Sequence, residues 1–390
     1  MSLTQEQSDA FSAISYWMVT DDKNLVIDGP AGAGKGYLLQ YLDTNEAICK
    51  MNELYNLVTS NQLPPIVFTA TTNEAVTSLG IHGAQTIYRY TGIRPSFNKL
   101  VAHKIINKTV QIVIVDEASF IDKEAFELIQ QQLPNAKFIW VMDQYQLPPV
   151  GSSIPHIATL DCPWVNLTQV NRSKGAIQKL VTDLRNNVAT KSSTHLPSYH
   201  NNNDIIVCDS VDEFNRMMKV DFQNNSNVCV LGYHNELCNS YNKAVHSKVM
   251  LQPDFPNVDA LPITTRYATS IPVGSTVYIN KIFEEDSTFK GKDAEYTFNT
   301  KIINTSKGIF YDADLSDLSA RDKKALLMHN PLLNNLSLGY AMTTHKSQGK
   351  TIETVYVHAQ DIKSSWDNEL VRRLLYVAIS RAAKKVVIYG

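Results

Sequence analysis

The chain has 390 residues, enough for two or three domains with ample cores. Hydrophobic residues make up 44% and charged residues 19%, the balance of an ordinary soluble globular protein. The formal net charge of −2 counts against a broad basic surface for duplex DNA but leaves room for a narrow groove around a single strand.

No run of about 18 apolar residues is present, so no membrane span is expected. The start "MSLTQEQSDAF" lacks a charged-then-apolar leader, and a cytoplasmic location is expected, in a bacterial host if the chain is phage-encoded. The 5 cysteines, Cys49, Cys162, Cys208, Cys229 and Cys238, contain no Cys-x-x-Cys pair. Buried reduced thiols are the expectation over a zinc site or disulfides.

In chain order, Thr4-x-x-Gln7 in "LTQEQ" has the spacing of a helix capping box. The strand-like "NLVID" then runs into Gly29, Pro30, Ala31, Gly32, Ala33, Gly34 and Lys35, and a helical pattern follows. Glycines there let backbone N–H groups face phosphate oxygens, the helix start adds positive potential, and Lys35 would reach the β- and γ-phosphates. A structural glycine turn is the plainer alternative; Lys35 and the strand–loop–helix context favour a nucleotide site. Gly36 stands where such loops carry Thr or Ser, whose hydroxyl ligates Mg²⁺.

"PIVFTA" reads as the next strand, and Thr72 after it suits the N-cap of the following helix. "QIVIVDEAS" sets Asp116 and Glu117 at the end of an apolar strand. Asp116 is suited to hold Mg²⁺ and Glu117 to orient and deprotonate an attacking water, although two acids after a strand also suit a solvated loop. "VMDQYQLPPV" puts Asp143 and Gln146 just before a stiff Leu147-Pro148-Pro149 turn. Gln146 could sense a γ-phosphate, or the segment could be a proline-fixed turn alone. Arg172 in "LTQVNRS" and Arg381 in "YVAISRA" are candidate cations for a transferring phosphoryl group, against the commoner role in a surface ion pair.

Short β-branched runs alternating with amphipathic stretches such as "KEAFELIQQQL" predict a doubly wound α/β domain with a parallel sheet. The alternation resumes with "DIIVCD" and "NVCVLGY", breaks at about 262–335 into a small β-rich insert, and returns with "TVYVHA" and "KVVIYG". Two similar sheets follow from this, with domains at 1–190 and 191–390 and "SYHNNNDI" as a linker-like segment.

The segments "LTQEQ", "GPAGAGK", "TATTNEA", "AQTIY", "VDEAS", "DQYQLPPV", "LTQVNRS", "TTHKSQGKT" and "LLYVAISRA" occur in the order found in superfamily 1 helicases. The chain resembles that family over residues 3 to 390, most of all its 5′-to-3′ branch of Dda-type, RecD-like helicases. The resemblance implies two RecA-like domains with ATP and Mg²⁺ as cofactors. It implies a pin-type insert at about 86–110 and an SH3-like insert at about 262–335. Gln7 would read adenine, and Lys35, Asp116, Glu117, Gln146, Arg172 and Arg381 would form the ATPase centre with Asp116 on the metal. Gln348 and Gly349 would lie near the nucleotide. Thr72, Asn73, Thr86, Tyr88, Thr344, His345 and Lys346 would face DNA, and Phe97 is the wedge candidate, with a core or turn role as its alternative. The family often carries His where Tyr88 stands.

The expected partners are single-stranded DNA and single-strand/duplex junctions, with replication proteins such as a single-strand-binding protein, and the expected state is a monomer. Two further readings stay open: an ATP-dependent single-strand-binding protein that hydrolyses poorly because of Gly36, and a small-molecule kinase on the same loop.

Overall fold

The computed structural model describes residues 2–96, 99–102, 107–149, 151–169, 175–194, 196, 202–224, 227–249, 263–265, 276–277, 279–291, 294–305, 308–330, 332–333 and 336–390. Contacts divide the chain into two compact units. One comprises Met1–Ile205, Gln348–Thr351 and Lys363–Lys385; the other comprises Ile206–Ser347, Ile352–Ile362 and Val386–Gly390.

In the first unit the elements are α1 (Gln5–Trp17), β1 (Asn24–Asp28), α2 (Lys35–Leu42), α3 (Asn45–Thr59), β2 (Ile66–Ala70), α4 (Asn73–Leu79), β3 (Gln85–Thr86), α5 (Ile87–Thr91), β4 (Ile93–Ser96), β5 (Lys99–Ala102), β6 (Gln111–Asp116), α6 (Lys123–Gln132), β7 (Ala136–Met142), β8 (Trp164–Asn166) and α7 (Ala176–Ala189). Six strands form a parallel sheet in the order β3-β2-β6-β7-β1-β8. Successive side chains of a strand point to opposite faces, and here both faces are covered. Leu25, Ile27, Ile112, Ile114, Ile139 and Val141 join one buried cluster; Val26, Val113, Val115, Phe138 and Trp140 join the other. That is why these strands read as continuous apolar runs. In α6 the buried residues Ala125, Phe126, Ile129 and Gln132 recur at helical spacing, and Asp122 caps its first turn. β4 and β5 make a separate antiparallel pair within the expected insert.

The second unit holds β9 (Ile205–Cys208), α8 (Val211–Asn224), β10 (Val228–Gly232), α9 (Asn235–Ala244), β11 (Ile263–Thr265), β12 (Thr276–Val277), β13 (Ile279–Lys290), β14 (Glu295–Thr305), β15 (Gly308–Ala313), α10 (Ala320–His329), β16 (Leu336–Leu338), β17 (Ala341–Thr343), β18 (Ile352–His358) and α11 (Ala359–Ile362). Helix α12 (Asn368–Ser380) leads into β19 (Ala382–Tyr389). Five strands form a second sheet in the order β17-β10-β18-β19-β9, as in a second RecA-like domain. The 262–335 segment contributes the sheet β13-β14-β15 and, with β16 just past it, the sheet β12-β11-β16; it also carries α10, whose first turn Ser319 caps.

Among the described residues no disulfide forms; Cys208, Cys229 and Cys238 are buried, whereas Cys49 is exposed. Among the described residues no helix is long and apolar enough to cross a membrane.

Candidate functional site

Three neighbouring strands bring the chemistry-bearing residues to one edge of the first sheet. In the order β6-β7-β1, Asp116 and Glu117 follow β6, Asp143 to Gln146 follow β7, and the Gly29–Lys35 loop follows β1. The strands are parallel, so this is their common carboxyl edge, where open α/β sheets bind ligands.

The loop needs its glycines. Gly32 and Gly34 have φ of 86° and 83°, in the left-handed region that side chains avoid. A Cβ on Gly29 would lie 2.6 Å from the Leu167 carbonyl oxygen. Lys35 Nζ donates to the carbonyls of Gly29 and, at 3.1 Å, of Pro30. A Cβ on Gly36 would meet nothing within 4 Å. Its missing hydroxyl is therefore not a steric requirement of the fold.

Helix α1 braces this loop. Thr4 and Gln7 form the capping box: Gln7 N–H donates to Thr4 Oγ1 (3.3 Å) and Thr4 N–H to Gln7 Oε1 (3.0 Å). Gln7 Nε2 also donates to the Gly34 carbonyl at 3.1 Å. Beside it, Glu6 accepts from Thr168 N–H (2.7 Å), Thr168 Oγ1 (2.6 Å) and Gln169 N–H (3.0 Å). Burial opposes the Glu6 charge, but these bonds from Thr168 and Gln169 hold its carboxyl below the usual value.

Asp116 is half-buried, and burial followed by the neighbouring Glu117 charge raises its carboxyl; the Glu117 N–H and Lys35 pull the other way. Glu117 has φ of 52°, a left-handed conformation that costs on the order of 1 kcal/mol for a residue with a side chain. Three hydrogen bonds hold it there. Glu117 N–H donates to Asp116 Oδ1 (2.9 Å), Thr71 Oγ1 to the Glu117 carbonyl (3.0 Å), and Thr71 N–H to the Asp116 carbonyl (3.1 Å).

A buried ionic network ties the loop after β7 to the end of β1. Asp28 Oδ1 accepts from Gln144 N–H (2.8 Å), and Oδ2 accepts from Gln144 Nε2 (3.1 Å) and an Arg185 guanidinium nitrogen (3.1 Å). Arg185 Nε lies 3.6 Å from Asp143 Oδ1, and the guanidinium sits 4.5 Å over the Tyr145 ring. From α12, Tyr376 OH donates to Asp143 Oδ2, and Arg373 donates to the carbonyls of Gln144 and Gln146, both at 2.7 Å. Burial, then the Asp143 charge, pushes the Asp28 carboxyl up, against the Gln144 bonds and Arg185. Gln146 Oε1 and both amide atoms of Gln348 are buried without a hydrogen-bond partner among the described residues.

The remaining sequence candidates are placed as follows. Arg381 is buried and donates to the Val377 carbonyl (3.2 Å) and to Ser380 Oγ (2.9 Å) of its own helix. Thr72 and Thr86 cap α4 and α5 through their hydroxyls, and Asn73 is exposed. Tyr88 packs against the β6/β7 core, and burial, then Asp122, pushes its phenol up to about 12. In the second unit Thr344 is buried and donates to the Gly232 carbonyl (3.1 Å), His345 is half-buried and Lys346 is exposed. Gly349 has φ of 77°. Phe97 and Arg172 lie outside the described residues.

Sequence reasoning missed Glu6, Asp28, Thr71, Arg185, Arg373 and Tyr376. Asp28 carried a signal, as a charge closing an apolar strand that leads into a phosphate loop. Thr71 stood inside a quoted motif. Arg185 carried none, because Asp28 lies 157 residues away and Asp143 in the loop after a different strand.

The chain matches the AAA domain family over residues 2–209 and the UvrD-like helicase C-terminal domain family over residues 338–389. It is 26% identical to the ATP-dependent DNA helicase dda of Enterobacteria phage T4 over 199 residues, a stretch covering 47% of this chain and 43% of that protein. Its fold is similar to the Pif1 helicase of Candida albicans (TM-score 0.55, 16% identity, 100% of this chain and 94% of that one). It is also similar to the Bacteroides Pif1 helicase solved with ADP-AlF3 and ssDNA (TM-score 0.54, 16% identity, 100% of this chain and 92% of that one).

Proposed function

The chain belongs to the superfamily 1 DNA helicases of the Dda, RecD and Pif1 type, ATP hydrolases that act on DNA, and from that premise we propose that it moves 5′-to-3′ along single-stranded DNA and separates duplex ahead of it. The observation that carries this reading is the shared carboxyl edge of β6, β7 and β1, with its phosphate loop, its two acids and the buried amide of Gln146.

The residues fit a nucleotide with its metal. Glycines that tolerate no Cβ leave a backbone cradle, Lys35 supplies the cation, and the half-buried Asp116 carboxylate is a hard oxygen donor of the kind Mg²⁺ takes. When bound, Mg²⁺ would offset charge on the β- and γ-phosphate oxygens. Lys35 holds the phosphates, Glu117 orients a water and takes its proton, and Gln7 reads adenine with the amide valences left over from the capping box and the Gly34 carbonyl. Arg172 and Arg381 stabilise charge on the transferring group, and Gln146 reports its presence to the Leu147-Pro148-Pro149 turn. Gln348 and Gly349 border the nucleotide.

Thr72, Asn73, Thr86, Tyr88, Thr344, His345 and Lys346 line the DNA path in this reading. The β4–β5 pair, with Phe97 between its strands, acts as the pin that splits duplex, and the β13–β15 sheet takes the SH3-like role. The protein works as a cytoplasmic monomer in phage or cellular DNA replication, recombination or repair, alongside a single-strand-binding protein.

Strand displacement on partial duplexes tests the direction. Unwinding of a 5′-tailed substrate, with little of a 3′-tailed one, is expected; the reverse preference overturns the direction. Gly36 favours a second reading, an ATP-dependent single-strand-binding protein with slow turnover. It predicts ATP-dependent DNA affinity with no displacement of either substrate.

A further inference from the structure

The carboxyl edge of the second sheet carries a cluster of which only His345 and Lys346 have been given a role so far. Strands β17, β10 and β18 lie side by side, with β10 parallel to both neighbours. Their carboxyl ends release three short segments at one edge: His345 and Lys346 after β17, Tyr233 and His234 after β10, and Asp361 in α11 after β18. The Tyr233 ring packs edge-on to His234 with centroids 4.7 Å apart, and tilted to His345 at 6.2 Å.

Asp361 fixes this arrangement. Its Oδ1 lies 2.8 Å from His234 Nδ1, and its Oδ2 accepts the backbone N–H groups of Tyr233 (2.5 Å) and His234 (3.1 Å). A Cβ on Gly232 would lie 2.9 Å from that same Oδ2, so a larger residue there would push the carboxylate out of place. The carboxylate side chain is 11% exposed, while the His234 side chain is 53% exposed. The anion is thus spent on orienting the loop, and the ring is left open to solvent. Lys346, next in the chain after His345, is exposed.

We infer that Tyr233, His234 and His345 form a stacking platform for the bases of single-stranded DNA, with Lys346 on the adjoining phosphate. Aromatic faces beside a cation are the combination that holds a single strand without reading its sequence, because every base offers a π-face and every link a phosphate. A carboxylate in the open would repel the strand; here it faces backbone N–H groups and an imidazole instead. Asp361 is a positioning residue for the platform. The inference rests on the helicase reading and adds two residues and a binding mode to it.

The test is anisotropy of a fluorescein-labelled oligothymidylate titrated with the full chain. Tyr233→Ala should weaken binding roughly five-fold or more, whereas Tyr233→Phe and Tyr233→Trp, which keep a ring, should bind within about two-fold of the unaltered chain. Unchanged affinity of Tyr233→Ala overturns the platform, as does a Phe variant as weak as the Ala variant. Photocrosslinking of an iodouracil strand to the unaltered chain gives a second readout, independent of whether Tyr233→Ala folds. Adducts on Tyr233, His234 or His345 support the platform, and adducts confined to other residues overturn it. Failure of the unaltered chain to bind any single strand would sink the helicase reading itself; binding with unaffected variants sinks the platform alone.

Discussion

Arg185 bridges two buried carboxylates, 3.1 Å from Asp28 and 3.6 Å from Asp143, and so joins the strand that feeds the phosphate loop to the loop that bears Gln146. Without the guanidinium, two acids that already repel each other would share an enclosed site. Arg185→Ala should therefore destabilise the chain by roughly 2–4 kcal/mol, somewhat under the figure for a fully buried pair because Arg185 is partly exposed. Urea unfolding measures this directly.

The same pair predicts the sign of a pH effect. Burial and Asp143 raise the folded-state value of Asp28 above its unfolded one, so the folded chain holds that proton more tightly. The stability it contributes is fully present below the ordinary carboxylate value and is lost as pH rises through the raised folded value. In Arg185→Ala the folded value rises further, so the variant's deficit should shrink on acidification. Melting temperatures of both proteins between about pH 5 and pH 8 check this; a deficit that grows toward acid contradicts it.

Thr71→Val removes the hydroxyl that holds the Glu117 carbonyl while keeping the shape of the side chain. One hydrogen bond of about 1 kcal/mol corresponds to roughly a five-fold loss of turnover if Glu117 relaxes out of its left-handed conformation. Thr71→Ser should restore most of it. Equal turnover in all three proteins would mean that the Glu117 backbone is held without Thr71.

Tyr376→Phe takes the phenolic donor from Asp143 Oδ2 at a fully buried position. Leaving that oxygen one partner short should cost on the order of 1–3 kcal/mol in denaturant unfolding. Turnover should fall as well, since the same loop presents Gln146.

Gly36→Thr meets no obstruction, because the space around an added Cβ is open. A restored hydroxyl worth about 1–3 kcal/mol should lower the Mg²⁺ needed for half-maximal ATP hydrolysis by roughly five-fold or more. An unchanged magnesium titration would show that Gly36 does not limit the site.

Much of this was legible in the sequence, for physical reasons. "QIVIVD" and "KFIWVM" sit in a sheet covered on both faces, so every residue must be apolar and the strands announce themselves. The Gly29–Lys35 loop is dictated by backbone contacts that only glycine permits, which leaves a compact local signature. Arg185 is different. It lies beside the apolar stripe Ile177, Leu180, Val181, Leu184 and Val188 of α7, and nothing in that periodicity separates a network arginine from a solvated one. Helix α12 is buried from Val371 to Ser380, so its pattern reports burial without saying against what. Only contacts assign residues 363–385 to the first unit, since strand–helix alternation is a local signal. Gln7 and Thr72 carry the caps that their spacing predicts.

ATP hydrolysis by the full chain, with and without single-stranded DNA across a magnesium titration, tests the motor most directly. Turnover should require Mg²⁺, rise several-fold or more with the strand, and vanish in Lys35→Ala. Turnover that no single strand stimulates at any magnesium concentration would contradict it.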